Sequence, residues 1–335
     1  MKGRLLVGFC LSLLSLGSLA AQLQPPTQGQ AKDPPLVQGA TRGSSGLWEI
    51  QVNVGPSTFE MVQVPAGNFK MGTDNPNGKL GWSPTHSVTI TRPFLMQKTH
   101  VTVAQFRAFV DATGYLTEAE HGVGAKVYVG LPDGMVYKDK VNWRNPAFEH
   151  EVWSAIEFEW QYKDDLSRSD PSVVQVDTCP VVCVSWNDAQ AFVQWLNAKG
   201  GEVAFRLPTE AEWEYACRAG SSEERYGNLD DIAWYERNSD GHTHPVGQKQ
   251  PNAFGLFDML GNVYQWCQDV FARDYYTSSP SQDPQGPKDG AERVDRGGSY
   301  QDGGRSLWAA ARDFTGTSRR NNFTGFRLVA VARTQ

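Results

Sequence analysis

The chain has 335 residues, 40% of them hydrophobic, with a net charge of -6 and an isoelectric point near 5.6. That length and apolar fraction suit one large domain or two ordinary ones, with enough hydrophobic surface for a sizeable core. No Lys/Arg cluster of the kind that neutralises phosphates occurs, which argues against a nucleic-acid partner.

Residues 1–21 carry Lys2 and Arg4, an apolar run from Leu5 to Leu16, and then Gly17-Ser18-Leu19-Ala20-Ala21. This is the layout of a secretory signal peptide, cleaved near Ala20 or Ala21. The run falls short of the ~20 apolar residues that a membrane span needs. No later segment reaches that length, so the mature chain is expected to be periplasmic or secreted, with no membrane span. Residues 22–46 are rich in Pro, Gly, Gln and Ser and read as a disordered linker. A folded domain is then expected over 47–335, starting at Leu47-Trp48-Glu49-Ile50.

Phe59 to Val64 alternates and ends at Pro65-Ala66-Gly67, a strand into a turn, and His86 to Thr91 alternates again. Thr102 to Ala112 sets Val103, Phe106, Phe109 and Val110 at helical spacing, with Thr102 to cap and Gly114 just past the end. A second helix is expected over Ser185 to Lys199, with Ala189, Phe192, Trp195 and Leu196 on one face. A third opens on the capping box Thr209-Glu210-Ala211-Glu212 and is expected to stop at Gly220. Between the first two lies an excursion from Tyr115 to Asp177 without regular period, including the acidic-aromatic run Glu149 to Trp160.

Loops are expected after Arg225 until Phe326 to Val331 closes as a strand. Among them, Pro251 to Asp269 mixes Gly255, Gly261 and Asn262 with Phe254, Leu256, Phe257, Met259, Leu260 and Trp266. It reads as an irregular buried loop whose inward carbonyls need partners, and an ion often supplies them. Helices early, loops late and few strands give an α+β domain of low regular secondary structure. Once Cys10 leaves with the signal peptide, Cys179, Cys183, Cys217 and Cys267 remain. In an oxidising compartment three pairings are open, with buried free thiols as the other reading. Cys179 and Cys183 lack the second pair or nearby histidine of a structural zinc site.

Several blocks then come together: Met61-Val62-x-Val64-Pro65-Ala66-Gly67-x-Phe69-x-Met71-Gly72, Val182-x-Val184-Ser185-Trp186-Asn187-Asp188-Ala189, Arg206-Leu207-Pro208-Thr209-Glu210-Ala211-Glu212-Trp213, Pro251 to Asp269, Arg296-Gly297-Gly298-Ser299-Tyr300 and Gly325-Phe326-Arg327. In this order they resemble the formylglycine-generating enzyme, or sulfatase-modifying factor, family from about Phe59 to the end. The resemblance implies a single domain with a fold related to C-type lectins, stabilised by one or two calcium ions. Carried onto this chain, one ion would use the side chains of Asp231 and Asp240 and the carbonyls of Ile232 and His242. The other would use the side chains of Asp258 and Gln265 and the carbonyls of Gly261 and Val263, with Gln265 where relatives often have glutamate. Oxygen donors mixed from side chain and backbone suit this hard cation.

Active members of the family oxidise a sulfatase cysteine with oxygen and a copper ion held by two cysteines just after the Gly-Gly-Ser-Tyr block. Here Asp302 falls where the first would be, and no cysteine follows Cys267. Copper(I) prefers soft thiolates, so copper is not expected. The histidines His86, His100, His121, His150, His242 and His244 form none of the arrangements of an iron site. Two readings remain. One is an exported enzyme resembling the pyoverdine-maturation proteins, acting on a peptide-like substrate, with Ser299 and Asp302 as candidate catalytic residues and a cleft lined by Asn142, Trp143, Arg144, Tyr264, Tyr300, Arg305, Trp308 and Arg312. The other is a protein that binds a ligand, including a protein ligand, through the surface from Tyr300 to Thr324, the surface that diversity-generating retroelements vary in this fold.

Overall fold

A computed structural model describes residues 33–75, 82–128, 134–148 and 175–333. The expected signal peptide, the first part of the expected linker and the run from Glu149 to Trp160 lie outside these residues. The chain forms β1 (Thr41–Arg42), β2 (Trp48–Val54), β3 (Ser57–Val64), β4 (Gly67–Met71), β5 (His86–Ile90) and β6 (Phe94–Gln97) before α1 (Val103–Thr113). A short α2 (Glu118–His121) and the hairpin of β7 (Ala125–Tyr128) and β8 (Met135–Lys138) precede α3 (Trp186–Ala198), β9 (Val203–Arg206), α4 (Glu210–Arg218) and α5 (Leu229–Ile232). The last third supplies β10 (Tyr264–Val270), β11 (Glu292–Arg296), β12 (Arg312–Gly316), β13 (Thr324–Gly325) and β14 (Val329–Ala332).

The longer helices start where their local chemistry says they should. Thr102 with Gln105, Ser185 with Asp188 and Thr209 with Glu212 each form a reciprocal cap that satisfies two backbone donors of the first turn. The third helix ends one residue before the expected Gly220, at Ala219, which itself takes the left-handed conformation with φ 46°.

Two sheets carry the domain. The six-stranded one has the order β1-β2-β3-β6-β14-β9, and the four-stranded one β12-β11-β10-β13. On β3, Phe59 and Met61 turn toward α1 and α3, where Phe106, Phe109, Phe192 and Trp195 complete an aromatic core. Val62 and Val64 turn the other way, onto Trp213 and Tyr215 of α4 and onto Phe254 and Leu256. With both faces covered, β6 is four buried residues in a row and shows no alternation.

Three expectations need correction. The domain is rich in strands, many only two to five residues long, too short for a period of two to declare itself in sequence. Residues 33–46 are tied to the domain and not a free linker, although Val37 alone among them is buried: β1 pairs with β2, the Leu36 N–H donates to Gln63 Oε1 at 2.8 Å, and the Trp48 indole donates to the Asp33 carbonyl at 2.7 Å. These hydrogen bonds, with Val37 in the core cluster of Phe59 and Phe106 and Leu36 packed against it, anchor a stretch of mostly polar composition. The closing strand is Val329–Ala332, while Thr324–Gly325 pairs in the other sheet, because Phe326 and Arg327 between them span the two sheets. Of the readings open for the cysteines, Cys179, Cys183, Cys217 and Cys267 take that of buried free thiols. Among the described residues, no helix is long and apolar enough to cross a membrane.

Candidate functional site

The loop that begins at Pro251 is buried, so its backbone polar groups must find partners inside the protein. Side chains supply many of them. Asn252 accepts from the N–H groups of Phe254 and Leu256 and donates to the Ala216 and Cys217 carbonyls at the end of α4. Arg327, fully buried, donates to the carbonyls of Gln97, Lys98, Phe257 and Asp258. Gly261 (φ 77°) is needed at its position, since a Cβ there would sit 2.3 Å from the Trp234 carbonyl. Next to it, Asn262 exchanges two hydrogen bonds with the backbone of His244 and so clips the loop holding Asp231 and Asp240 to this stretch.

The calcium ligands implied by family likeness differ in fit. Asp231 and Asp240 are exposed carboxylates on that clipped loop, hard donors open to a cation. Asp258 is fully buried; its Oδ2 accepts from the Gly247 N–H at 2.7 Å, and its Oδ1 has no partner among the described residues. Burial pushes this carboxyl up to about 6, and a bound cation would reverse that shift. Gln265 is committed elsewhere. Its Oε1 accepts from the Trp213 indole at 2.9 Å and from Arg327 Nε at 2.6 Å, and its Nε2 donates to the Asp258 and Met259 carbonyls. Asp258 therefore offers a free oxygen, and Gln265 does not.

β10 and the turn after β11 build the second half of the site. Asp302 accepts from three donors: Ser299 Oγ at 2.6 Å, the Ser299 N–H at 2.9 Å and the Tyr264 phenol at 3.2 Å. Burial raises the Asp302 carboxyl above its ordinary range, although the bonds from Ser299 and Tyr264 pull the other way. Burial, reinforced by Asp302, Asp313 and Asp295, holds the Tyr264 phenol well above its ordinary value, so it stays protonated and donates. The three side chains form a hydroxyl–carboxylate–phenol group able to accept and return one proton. All of these donors are hard oxygens, and such a set does not fit copper(I).

The structure sorts the other expected surface residues. Arg144 and Arg305 are exposed, and Asn142 and Tyr264 are half-buried. Trp143 is 1% exposed and packs edge-on against Phe106, and Tyr300 is 1% exposed against Phe148, so both belong to the core. Trp308 packs on Trp82 and is likewise buried. Arg312 is removed from the expected cleft altogether: it is ion-paired with Glu210 at 2.7 Å and lies over the rings of Phe271 and Tyr276. Strand alternation turns Arg312 and Arg296 to the same face of the four-stranded sheet as α4, whereas Asp295 and Asp313 face the opposite side. Sequence reasoning passed over Asp295; the alternation Val294-Asp295-Arg296 was the available signal. An open groove of about 570 Å³ beside β1 to β3, lined in part by Gln38, Glu49, Gln51 and Glu60, includes none of these residues.

Comparison with known proteins places this geometry. The profile of the sulfatase-modifying factor enzyme 1-like domain matches residues 50–332. The formylglycine-generating enzyme of Streptomyces coelicolor is 39% identical over 269 residues, covering 73% of this chain and 79% of that protein. The solved structure of PvdO from Pseudomonas aeruginosa has a TM-score of 0.65 at 27% identity, covering 84% of this chain and 98% of the other. Treponema denticola variable protein 1 has a TM-score of 0.60 at 25% identity, covering 85% and 99%.

Proposed function

We propose a function from one premise: the chain belongs to the family of sulfatase-modifying factor enzyme 1-like domains. It has that family's formylglycine-generating-enzyme, C-type-lectin-like fold. On this reading the protein is an exported enzyme that works without the copper–cysteine site and matures or oxidises a peptide-like substrate, as the pyoverdine-maturation proteins do. One observation carries the reading. Where the family resemblance implies a cysteine, Asp302 stands hydrogen-bonded to both Ser299 and Tyr264, forming a connected proton-transfer group in which Asp302 and Tyr264 are half-buried and Ser299 is buried. Asp302 would take one proton from the substrate and Tyr264 would hydrogen-bond to oxygen on it, while two electrons and two protons in all pass to dioxygen, released as hydrogen peroxide; a net gain of one oxygen would follow when water adds to the oxidised product.

The test is incubation of the mature protein with candidate peptide precursors in air and under anaerobic conditions, followed by mass spectrometry. The expected result is loss of two hydrogens or gain of one oxygen, in air only. An unchanged mass across a broad precursor panel sinks the reading. A sulfatase peptide supplied with copper is expected to yield no formylglycine.

Likeness to the Treponema variable protein supports a second reading, a ligand-binding protein whose surface is varied. Against it, Tyr300, Trp308, Arg320 and Asn322 of the stretch from Tyr300 to Thr324 are buried, leaving Gln301, Arg305, Asp313, Phe314, Ser318 and Arg319 as the exposed positions. A downstream near-copy of codons 297 to 327, differing only at adenines, would establish that reading.

Calcium at Asp231 and Asp240, with the carbonyls of Ile232 and His242, belongs to the same proposal, and a second ion would rest on Asp258. A ligand bound only by the folded state stabilises it by mass action. Chelator is therefore expected to lower the melting temperature and added calcium to restore it, read by calorimetry. A transition that chelator leaves unmoved removes both ions from the proposal.

A further inference from the structure

The face of the four-stranded sheet turned away from α4 gathers negative charge. Asp295 on β11 lies directly opposite Asp313 on β12, so their side chains share one face. Asp295 is 5% exposed, and its buried Oδ1 has no hydrogen-bond partner among the described residues. Tyr264 stands on the neighbouring strand, two residues from Trp266, which pairs with Asp295, and its hydroxyl reaches Asp302. Burial first, and then Asp313 and Asp302, hold the Asp295 carboxyl well above its ordinary range.

The nearby arginines do not neutralise this group. Arg296 is bound to Glu214 and to the carbonyls of Ala309, Ala310 and Ala311. Arg312 is bound to Glu210, and Arg293 lies over Trp186 and donates to the Gln268 carbonyl. Like charges opposed across a strand pair are unfavourable, and a buried carboxylate oxygen left unpaired costs more. A fold carries such a cost where a ligand repays it.

We propose that Asp295 and Asp313, with Asp302 and the ring of Tyr264, form a subsite for a guanidinium or ammonium group of the substrate. A guanidinium fits both features: it donates to carboxylates in a bidentate fork and lies flat on an aromatic face. Here Tyr264, with Phe323 at 6.2 Å between ring centroids, supplies the aromatic wall. The inference rests on the reading of Ser299 and Asp302 as the substrate-facing site and adds the charge of what binds there.

The probes are N-acetylarginine amide and its neutral isostere N-acetylcitrulline amide, titrated into the mature protein by NMR. Arginine amide is expected to bind at least tenfold more tightly, and Asp313→Asn and Asp295→Asn are each expected to weaken it at least tenfold. Asp295→Asn is also expected to hold or raise the melting temperature, because it replaces a buried carboxyl that faces Asp313 and has an unpartnered oxygen. A fall in that temperature marks Asp295 as structural and overturns the proposal. So do equal affinities for the two amides, binding unchanged in both variants, or a calcium ion bound by Asp295 in place of the arginine probe. No turnover is read, so failure here leaves the enzymatic reading standing, and failure of that reading leaves this binding result intact.

Discussion

Glu214→Ala is expected to lower the melting temperature by on the order of 10 °C, the largest stability effect of any single change considered. Glu214 on α4 is completely buried, and its carboxylate holds two arginines. Arg218 reaches one oxygen at 2.8 Å, and the Gly72 N–H donates to the same oxygen at 2.9 Å. Arg296, itself fully buried, binds the other oxygen. Beside them, Glu210 pairs with Arg312 and accepts from the Tyr276 hydroxyl at 3.1 Å. Removing one partner of a buried ion pair leaves the others as uncompensated charges, which costs about 3–5 kcal/mol.

The pH dependence follows from the same contacts. Burial alone would raise the Glu214 carboxyl, but Arg218 and Arg296 outweigh it and hold the group below its ordinary value of 4.5. A carboxylate depressed in the folded state stabilises above its unfolded pKa, and that stability is lost as pH falls through the folded value. The gap between wild type and Glu214→Ala should therefore be full at neutral pH and shrink in acid below about 4.5. A variant that melts within a few degrees of wild type at pH 7 would show the network to be dispensable.

Asp302→Ala is expected to reduce substrate conversion by about 10²–10⁴-fold, the usual contribution of a positioned acid or base. Ser299→Ala removes one of the donors to that carboxylate and should cost less. Asp302→Asn distinguishes chemistry from support: it keeps the shape and one acceptor oxygen but takes up no proton in this range. It should lower kcat with little change in KM and leave the melting temperature in place. Because burial raises the Asp302 carboxyl, the wild-type rate should climb with pH through a value above the ordinary 3.8, and the asparagine variant should lose that limb. A melting temperature that falls with activity in Asp302→Asn would make the residue a structural clip between Ser299 and Tyr264.

Much of the fold was legible because its signals are local. The caps at Thr102, Ser185 and Thr209 depend on a partner three residues away and appeared where they were expected. The family blocks are likewise contiguous runs, and their order was enough to assign the domain. Exposure was harder to read. Trp143, Tyr300 and Arg312 look like recognition residues in a loop-rich stretch, yet Phe106, Phe148 and Glu210, distant in sequence, bury them. Gln265 reads in sequence as a ligand weakened by the loss of a carboxylate charge, whereas its oxygen is shared between Trp213 and Arg327, 52 and 62 residues away.

The amino-acid sequence by itself determined the family, the helix starts and the presence of Asp302 with no cysteine after Cys267, since each is a matter of residue identity or of spacing within one turn. Only the tertiary structure decided which side chains meet. It set β14 between β6 and β9, drew Arg327 to carbonyls 229 and 230 residues away, and laid Asp295 opposite Asp313. Those meetings depend on strand register and on which face of a sheet is buried, and both are settled by packing among distant segments.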